Sequence, residues 1–131
     1  MLQPKVYIKE FNIVREVEMI DFYNKEVLVY VIGVRPRGET AIYSFDEIEF
    51  MENTGMKDKN GNYIYEGDIV TVNGTWDCII EYNQSSCAFV LKSIDSRWNM
   101  GYFSNYDDIE EMLEIIGNIY ENKELVEWCI S

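Results

Sequence analysis

The chain has 131 residues, of which 47% are hydrophobic, and its 24 acidic and 11 basic residues give a net charge of −13. This apolar content excludes a largely disordered chain, and the absence of histidine excludes Ser-His-Asp and Cys-His catalysis and imidazole zinc sites. A surface this acidic repels phosphate groups, so direct binding to nucleic acid is not expected.

β-Branched and aromatic residues dominate the first third of the chain, which favours strands. Asn24-Lys25 reads as a hairpin loop between two of these strands, and Pro36 breaks the pattern because it cannot donate to a β-ladder. We therefore predict an antiparallel N-terminal β lobe. Its predicted strands are residues 5–11, 14–23, 27–34 and 41–43.

Tight turns punctuate the middle of the chain. Asn60-Gly61 predicts a type I′ hairpin turn, Glu66-Gly67-Asp68 predicts a second turn, and Asn73-Gly74 predicts a third. Short strands joined by such turns favour a partly open, SH3-like barrel in the C-terminal part. The predicted strands here are residues 69–72, 76–82, 87–92 and 97–103.

The C-terminal region adds the minor helical content. Residues 107–112 are predicted as a helix with Asn105 as its N-cap, 114–120 as a final strand, and 122–128 as a short helix capped by Asn122. The predicted class is mainly β with minor α. The expected organisation is an N-terminal β lobe over residues 1–56 and an SH3-like barrel over 57–131, together forming one compact unit.

Three blocks of sequence resemble the YopX family, whose members are encoded by phages and prophages of bacteria. The most specific block is residues 50–72, here called the signature segment; the others are residues 20–27 and 115–122. The resemblance implies a phage or prophage origin and an SH3-like barrel in the C-terminal part. It implies no activity and no catalytic residue. Lys123 departs from the family pattern, which commonly has proline there.

Aromatic and acidic residues near the C-terminal end form a candidate interaction surface. Aromatic side chains are enriched at interface anchors, although some must fill a small barrel. The acidic residues read either as a solvated helical face or, for Asp107 with Glu111, as a metal-binding pair. The candidate surface is Trp98, Tyr102, Tyr106, Asp107, Asp108, Glu110 and Glu111.

No cofactor, metal or catalytic residue is predicted. Asp58 to Asn62 superficially resembles a calcium loop, but Tyr63 occupies the position that requires glycine, and Ile69 the position that requires glutamate. The three cysteines form no CxxC pair, which favours reduced, structural thiols. Neither a signal-peptide pattern nor a long uncharged apolar run is present, so we expect the protein in the cytoplasm of its bacterial host.

These observations favour a non-enzymatic, phage-encoded module that binds protein, either a host protein or further copies of itself as a homo-oligomer, with no membrane partner. The alternative is an acidic nucleic-acid mimic that inhibits a host DNA-binding or defence enzyme. Eight acidic residues between 105 and 131 against the single base Lys123 motivate that alternative. A third hypothesis, a carboxylate-based metal-assisted hydrolase, requires acids that converge in a pocket.

Overall fold

A computed structural model describes residues 3–30, 40–94 and 108–126, and residues 101–102 as backbone only. The chain divides into two units, one ending at Glu52 and the other starting at Asn53. Each unit is built mainly from antiparallel strands, and the helical segments are short, so the predicted mainly-β class is confirmed. The change of lobe predicted at residue 56 falls within a strand of the second unit.

The first unit is a five-stranded antiparallel sheet. Alternation along the strands sends Val17, Val27 and Val29 into one core with Val6 and Ile8, because successive side chains in a strand point to opposite faces. A bulge between Val17 and Met19 inserts one extra residue in the second strand. In the order β4-β3-β2-β1-β5, the strands are β1 (Lys5–Ile8), β2 (Ile13–Asp21), β3 (Glu26–Tyr30), β4 (Thr40–Ser44) and β5 (Ile48–Met51).

A short 3-10 helix, Phe45–Glu47, joins β4 to β5. The Ser44 backbone N–H donates to Glu47 Oε1 at 3.0 Å, and the Ser44 hydroxyl lies 3.1 Å from the same oxygen. This capping contact stabilises the start of the turn. The turn returns the chain so that β5 pairs with β1. The sequence patterns did not predict β5 as a strand.

The second unit contains a two-stranded ribbon and a five-stranded antiparallel sheet of order β11-β10-β9-β8-β12. Within the described residues, β11 and β12 lie at opposite ends of this sheet, so it is open and no closed barrel forms. The ribbon is β6 (Asn53–Lys57) and β7 (Tyr63–Tyr65), and the sheet strands are β8 (Asp68–Val72), β9 (Trp76–Asn83), β10 (Ala88–Ser93), β11 (Gly101–Tyr102) and β12 (Leu113–Asn118).

One apolar cluster organises this second unit. Ile64 of the ribbon, Val70 of β8, Ile80 of β9 and Leu113 of β12 are fully buried in it. A one-turn helix, α1 (Ile109–Met112), adds the buried Ile109 immediately before β12. Burial of side chains of this size contributes roughly 1.5–3 kcal/mol each, so the cluster contributes substantially to the stability of the unit.

The type I′ turn predicted at Asn60-Gly61 is wrong. Gly61 has φ +85°, but Asn60 is not among the residues with positive φ, and the turn closes by a Gly61 N–H to Asp58 carbonyl bond of 3.0 Å. The buried Asp58 carboxylate supports this turn in place of the I′ geometry. At Asn73-Gly74 both φ angles are positive, 51° and 72°, as a type I′ turn requires.

The C-terminal elements are shorter than predicted. The helix predicted over 107–112 begins at Ile109, and the helix predicted over 122–128 is a 3-10 turn, Lys123–Leu125. Asn122 does not cap that turn with its side chain, because its Oδ1 accepts the N–H of Asn118 at 3.0 Å. The predictions for Asn105 and for most of 97–103 lie outside the described residues. Among those that are described, no helix has the length and apolar character to cross a membrane.

Candidate functional site

The predicted interaction surface is only partly within the described residues. Trp98, Tyr106 and Asp107 lie outside them, and Tyr102 is described only as backbone, where β11 pairs with Val90 of β10. The aromatic part of this surface stays a prediction. The acidic part is visible: Asp108, Glu110 and Glu111 are exposed at the start of α1.

An open depression of about 340 Å³ brings Glu110 and Glu111 together with the turn of the signature segment. The Lys57 N–H donates to Glu110 Oε2 at 2.7 Å, which ties α1 to the end of β6. Acidic and basic residues both line the depression, so its surface is not uniformly negative. The lining residues are Lys57, Asp58, Lys59, Gly61, Glu110 and Glu111.

The two lysines beside the depression have partners of their own. Lys57 Nζ lies 5.0 Å from the centre of the Tyr63 ring, a cation–π distance. Lys59 Nζ lies 3.6 Å from Glu114 Oε2, and both side chains are partly exposed. Exposed pairs of this kind contribute at most about 1 kcal/mol, so they shape the charge pattern more than they stabilise the fold.

Asp58 is the buried carboxylate of this region, and every contact it makes is structural. Its Oδ1 accepts the backbone N–H groups of Asn60 and Asn62, each at 3.0 Å. Its Oδ2 accepts the N–H of Ile115 in β12 at 3.1 Å. The carboxylate oxygens thus point at N–H donors, which supports the prediction of an ordinary turn in place of a calcium loop.

The second turn of the signature segment is anchored in the same way. Asp68 is buried, and its Oδ2 accepts the Tyr65 N–H at 2.8 Å. Gly67 has φ +90°, donates to the Ile80 carbonyl at 2.8 Å and accepts from the Ile119 N–H at 2.9 Å. Glycine adopts that φ without strain. Through these two backbone bonds, Gly67 connects β9 with the end of β12.

Asn118 closes the C-terminal end of β12, a role that the sequence patterns did not reveal. Its Oδ1 accepts the N–H groups of Tyr120 at 3.0 Å and Glu121 at 2.8 Å. Gly117 lies beside it, and a Cβ there would lie 2.5 Å from Asn122 Oδ1, so a larger residue would displace the Asn122 side chain. The Gly117-Asn118 pair with Asn122 five positions after the glycine is the signal that marks this compact turn.

No group of three or more His, Cys, Asp or Glu residues that could hold a metal ion occurs in the described part of the chain. The proposed pair Asp107 with Glu111 lies partly outside it. Cys78 and Cys87 are free thiols. Burial, with a smaller contribution from Asp77, raises the pKa of Cys78 to about 11, so this thiol stays protonated and unreactive at neutral pH.

The first resembling block, residues 20–27, forms the β2–β3 hairpin of the first unit. Asp21 Oδ1 accepts the Asn24 N–H at 3.0 Å, and Oδ2 accepts Asn24 Nδ2 at 2.8 Å. These bonds lower the pKa of the Asp21 carboxyl, the backbone bond having the largest effect. Phe22 and Tyr23 at the tip are exposed.

An apolar row crosses the face of the first-unit sheet opposite the core. Met19, Leu28 and Ile42 are register partners on β2, β3 and β4, and we call them the outer row. Met19 is 60% exposed and Ile42 63% exposed, with Leu28 half-buried between them. Sequence patterns missed the row because it depends on the bulge after Val17, which changes the face on which Met19 lies.

The sequence profile of the family described as YopX protein matches residues 5–127. The chain belongs to the YopX family. A protein of Enterococcus faecalis, known from a crystal structure, has 24% sequence identity to this YopX chain; the match covers 95% of this chain and 96% of that one, with a TM-score of 0.59. At that identity the likeness shows the fold alone. No curated protein sequence matches the chain.

In this YopX protein, the signature segment and the third block meet inside the second unit. Asp58 of the former bonds to Ile115 of the latter, and Gly67 bonds to Ile119. Asp68 and Asn118 are register partners at the end of the β8–β12 ladder. Asp58, Gly67, Asp68 and Asn118, which belong to these two blocks, are therefore turn anchors in this chain, and the outer row lies on the other unit.

Proposed function

We propose that this YopX protein is encoded by a phage or prophage and works as a non-enzymatic module that binds protein through the outer row. The observation that carries the proposal is the alignment of Met19, Leu28 and Ile42 on the face opposite the core. Contiguous exposed apolar side chains on a sheet face mark interaction surfaces more often than isolated ones do.

The surroundings of the outer row fit a contact with protein. Tyr30 follows Leu28 on the same face of β3 and is 44% exposed, which adds an aromatic side chain with a polar end to the surface. Methionine and tyrosine are both enriched in protein–protein interfaces, where charged residues are depleted at the centre. The row itself contains no charge, in a chain whose net charge is −13.

The hydrogen bonds of two buried carboxylates and of the exposed Glu110 support a non-enzymatic role. Asp58 and Asp68 accept backbone N–H groups at turns, and Glu110 Oε2 accepts the N–H of Lys57. A general acid or base has to offer its oxygen to a substrate within hydrogen-bond reach. In each of these residues at least one carboxylate oxygen is already directed at the protein backbone.

Replacement of Met19 and Tyr30 by glutamine tests the proposal. The double variant removes apolar contact area without changing the charge, so we expect binding to weaken at least tenfold, which corresponds to a loss of about 1.4 kcal/mol or more. Light scattering measures self-association, and quantitative capture from host lysate measures binding of other proteins. The signal of interest is the difference between the wild type and the variant.

The control is the double variant Trp76→Gln and Tyr82→Gln in the second unit. These residues are 63% and 44% exposed, which matches Met19 and Tyr30 closely. We expect the control to bind like the wild type. Loss of binding in the control, with binding retained in the Met19/Tyr30 variant, would move the interaction surface to the second unit and overturn the assignment of the outer row.

The acidic mimic is the second candidate function, and the exposure of Asp108, Glu110 and Glu111 supports it. Such a mimic needs a nearly continuous negative surface that competes with DNA for a basic partner. Lys57 and Lys59 line the same depression as Glu110 and Glu111, which weakens the negative potential there. The outer row therefore carries the preferred proposal.

A further inference from the structure

β4 lies at an end of the first-unit sheet and carries no charge, proline or bulge of its own; the Glu47 carboxylate covers this edge only at the Ser44 end. The strand is Thr-Ala-Ile-Tyr-Ser, and its ladder with β3 runs in unbroken register. β5, at the opposite end of the sheet, does carry a charged residue, Glu49, whose Oε1 lies 3.7 Å from Lys9 Nζ. Unprotected edges of this kind are templates for strand addition.

The backbone of β4 has a definite orientation toward that edge. The Phe45 N–H donates to Lys25 on the β3 side, whereas the Ser44 N–H donates away from β3, to Glu47 Oε1. Since backbone groups alternate in direction along an antiparallel strand, Ile42 and Thr40 also present N–H and C=O to the edge. Within the described residues, β4 has no strand neighbour on that side.

The strand is suited to pairing with its own copy because Ile42 stands at its centre. Antiparallel pairing about a two-fold axis at this residue places Ile42 opposite Ile42 of the second copy, where the two exchange both N–H···O bonds. The same register places the small Ala41 opposite the large Tyr43 of the other copy on the core side. It also places Thr40 opposite Ser44, two small polar residues, where the Ser44 N–H must exchange its bond to Glu47 Oε1 for one to the Thr40 carbonyl of the other copy.

An uncharged edge favours contact with a second copy in a chain that is otherwise strongly acidic. Two molecules of net charge −13 repel each other over most approaches. Neither β4 nor the outer row carries a charge, and the proposed register sets the Glu47 carboxylate at the Ser44 end beside Thr40 of the other copy and not beside its Glu47. The two-fold axis would also join the outer rows of both copies into one apolar stripe centred on the two Ile42 side chains.

We propose that two copies of this chain pair edge to edge through β4, antiparallel and about a two-fold axis at Ile42, so that their first-unit sheets form one continuous sheet. This inference rests on the proposed function and describes the form of the protein that presents the outer row. The outer row then spans both copies, and it is the dimer that presents the complete apolar surface.

Disulfide trapping tests the register. In a C87S/C129S background, the Ile42→Cys variant places two thiols opposite each other, about 5.5 Å apart between Cα atoms, within the range of a disulfide. Oxidised glutathione accepts the two electrons when the bond forms. We expect a covalent dimer on non-reducing gels at protein concentrations where the wild type is dimeric.

Met19→Cys in the same background is the matched control. Met19 lies on the same row with nearly the same exposure, but the proposed dimer separates its two copies by five strand spacings, about 24 Å. We expect no covalent dimer from this variant. Equal trapping at both positions, or trapping at Met19 alone, would overturn the pairing through β4.

Ile42→Lys gives an independent test, because it places two positive charges side by side at the two-fold axis. We expect the dimer dissociation constant to rise at least tenfold in light scattering. The exposed position should leave the circular dichroism spectrum and the urea midpoint unchanged. A dimer that survives this variant and is not trapped at position 42 would overturn the β4 pairing while leaving the proposed binding function intact.

A wild-type chain that stays monomeric up to several hundred micromolar would also overturn the inference. The glutamine variants of Met19 and Tyr30 would then decide the proposed function separately, through capture of a host protein. If those variants also bind like the wild type, both the inference and the proposed function are wrong.

Discussion

Asp58 shows how one buried carboxylate organises a long stretch of chain. It holds the turn at Asn60 and Asn62 with one oxygen and reaches Ile115 with the other, across 57 positions of sequence. Hydrogen bonds to a charged group contribute about 1.5–3 kcal/mol, and loss of the acceptor leaves the donors unsatisfied. The same residue, seen only in sequence, resembled the first ligand of a calcium loop.

We expect Asp58→Ala to lower the free energy of unfolding of the second unit by about 3 kcal/mol, because three backbone N–H groups lose their acceptor. Asp58→Asn should cost less than Asp58→Ala, since its one carbonyl oxygen still accepts from part of these N–H groups. It should still destabilise the unit, because its NH2 group faces an N–H donor that has lost its acceptor. Urea unfolding followed by tryptophan fluorescence measures this, as all three tryptophans, at 76, 98 and 128, belong to the second unit.

The control is Asp77→Ala, which removes an exposed carboxylate from β9 in the same unit. Its effect should stay within about 0.5 kcal/mol, as for most surface substitutions. If Asp58→Ala is no more destabilising than Asp77→Ala, the carboxylate does not hold the turn to β12.

At the scale of elements, the sequence predicted the strands that are rich in β-branched and aromatic residues. It missed strands that form only because a neighbouring strand pairs with them. β8, β9 and β10 follow runs of β-branched and aromatic residues, and their predicted bounds lie close to those observed. β6 has only Asn-Thr-Gly-Met-Lys, a poor strand sequence, and becomes a strand because β7 pairs with it. Propensity does not contain that long-range contribution.

The candidate site was predictable to a smaller extent than the fold. Adjacent acids at 110 and 111 indicated an exposed face, and their exposure agrees with this. Their proximity to Lys57 and Lys59 could not be read from the sequence, because more than 50 residues separate the two segments and the pairing of β12 with β8 brings them together. The outer row was not predictable, because the position of Met19 on the outer face depends on the bulge after Val17, which no local sequence pattern indicates.

The turn after β12 yields a prediction about coupled residues. Gly117→Ala should cost about 2 kcal/mol, because the new Cβ meets Asn122 Oδ1 at 2.5 Å. Asn122→Ala should cost about 1 kcal/mol through loss of its bond to the Asn118 N–H. Since the second substitution removes the atom that the first one meets, the double variant should cost less than the sum of both.

A double-mutant cycle by urea unfolding measures this coupling. We expect an interaction energy of about 1 kcal/mol in favour of the double variant. Strictly additive costs would mean that the chain relieves the contact by moving the backbone, and that Gly117 is not required for the close approach.

On the scale of the whole molecule, charge distinguishes the two candidate functions. A chain of net charge −13 repels its own copies and attracts basic partners, and salt screens both effects. Between about 50 and 500 mM salt the Debye length falls from roughly 14 to 4 Å. Apolar pairing of two copies and recognition of a basic protein should therefore respond to salt in opposite directions.

We expect self-association to become several-fold tighter from about 50 to 500 mM salt, because screening removes repulsion and leaves apolar burial unaffected. Light scattering coupled to size exclusion at a fixed protein concentration measures the change. As a control, Glu110→Gln with Glu111→Gln should strengthen association at low salt and have little effect at high salt. A dimer that dissociates as salt rises would contradict apolar pairing and favour contacts between opposite charges.

The sheet order of the second unit has a consequence for synthesis on the ribosome. β8, β9 and β10 emerge in succession and can pair at once, but the other edge of β8 is completed by β12, which ends at Asn118. The strands of the first unit, by contrast, are all translated by Met51. The β4 edge is thus presented while the second unit is still being made. Nascent chains on one messenger RNA are held close together at that stage, so the proposed pairing can begin before either chain is released.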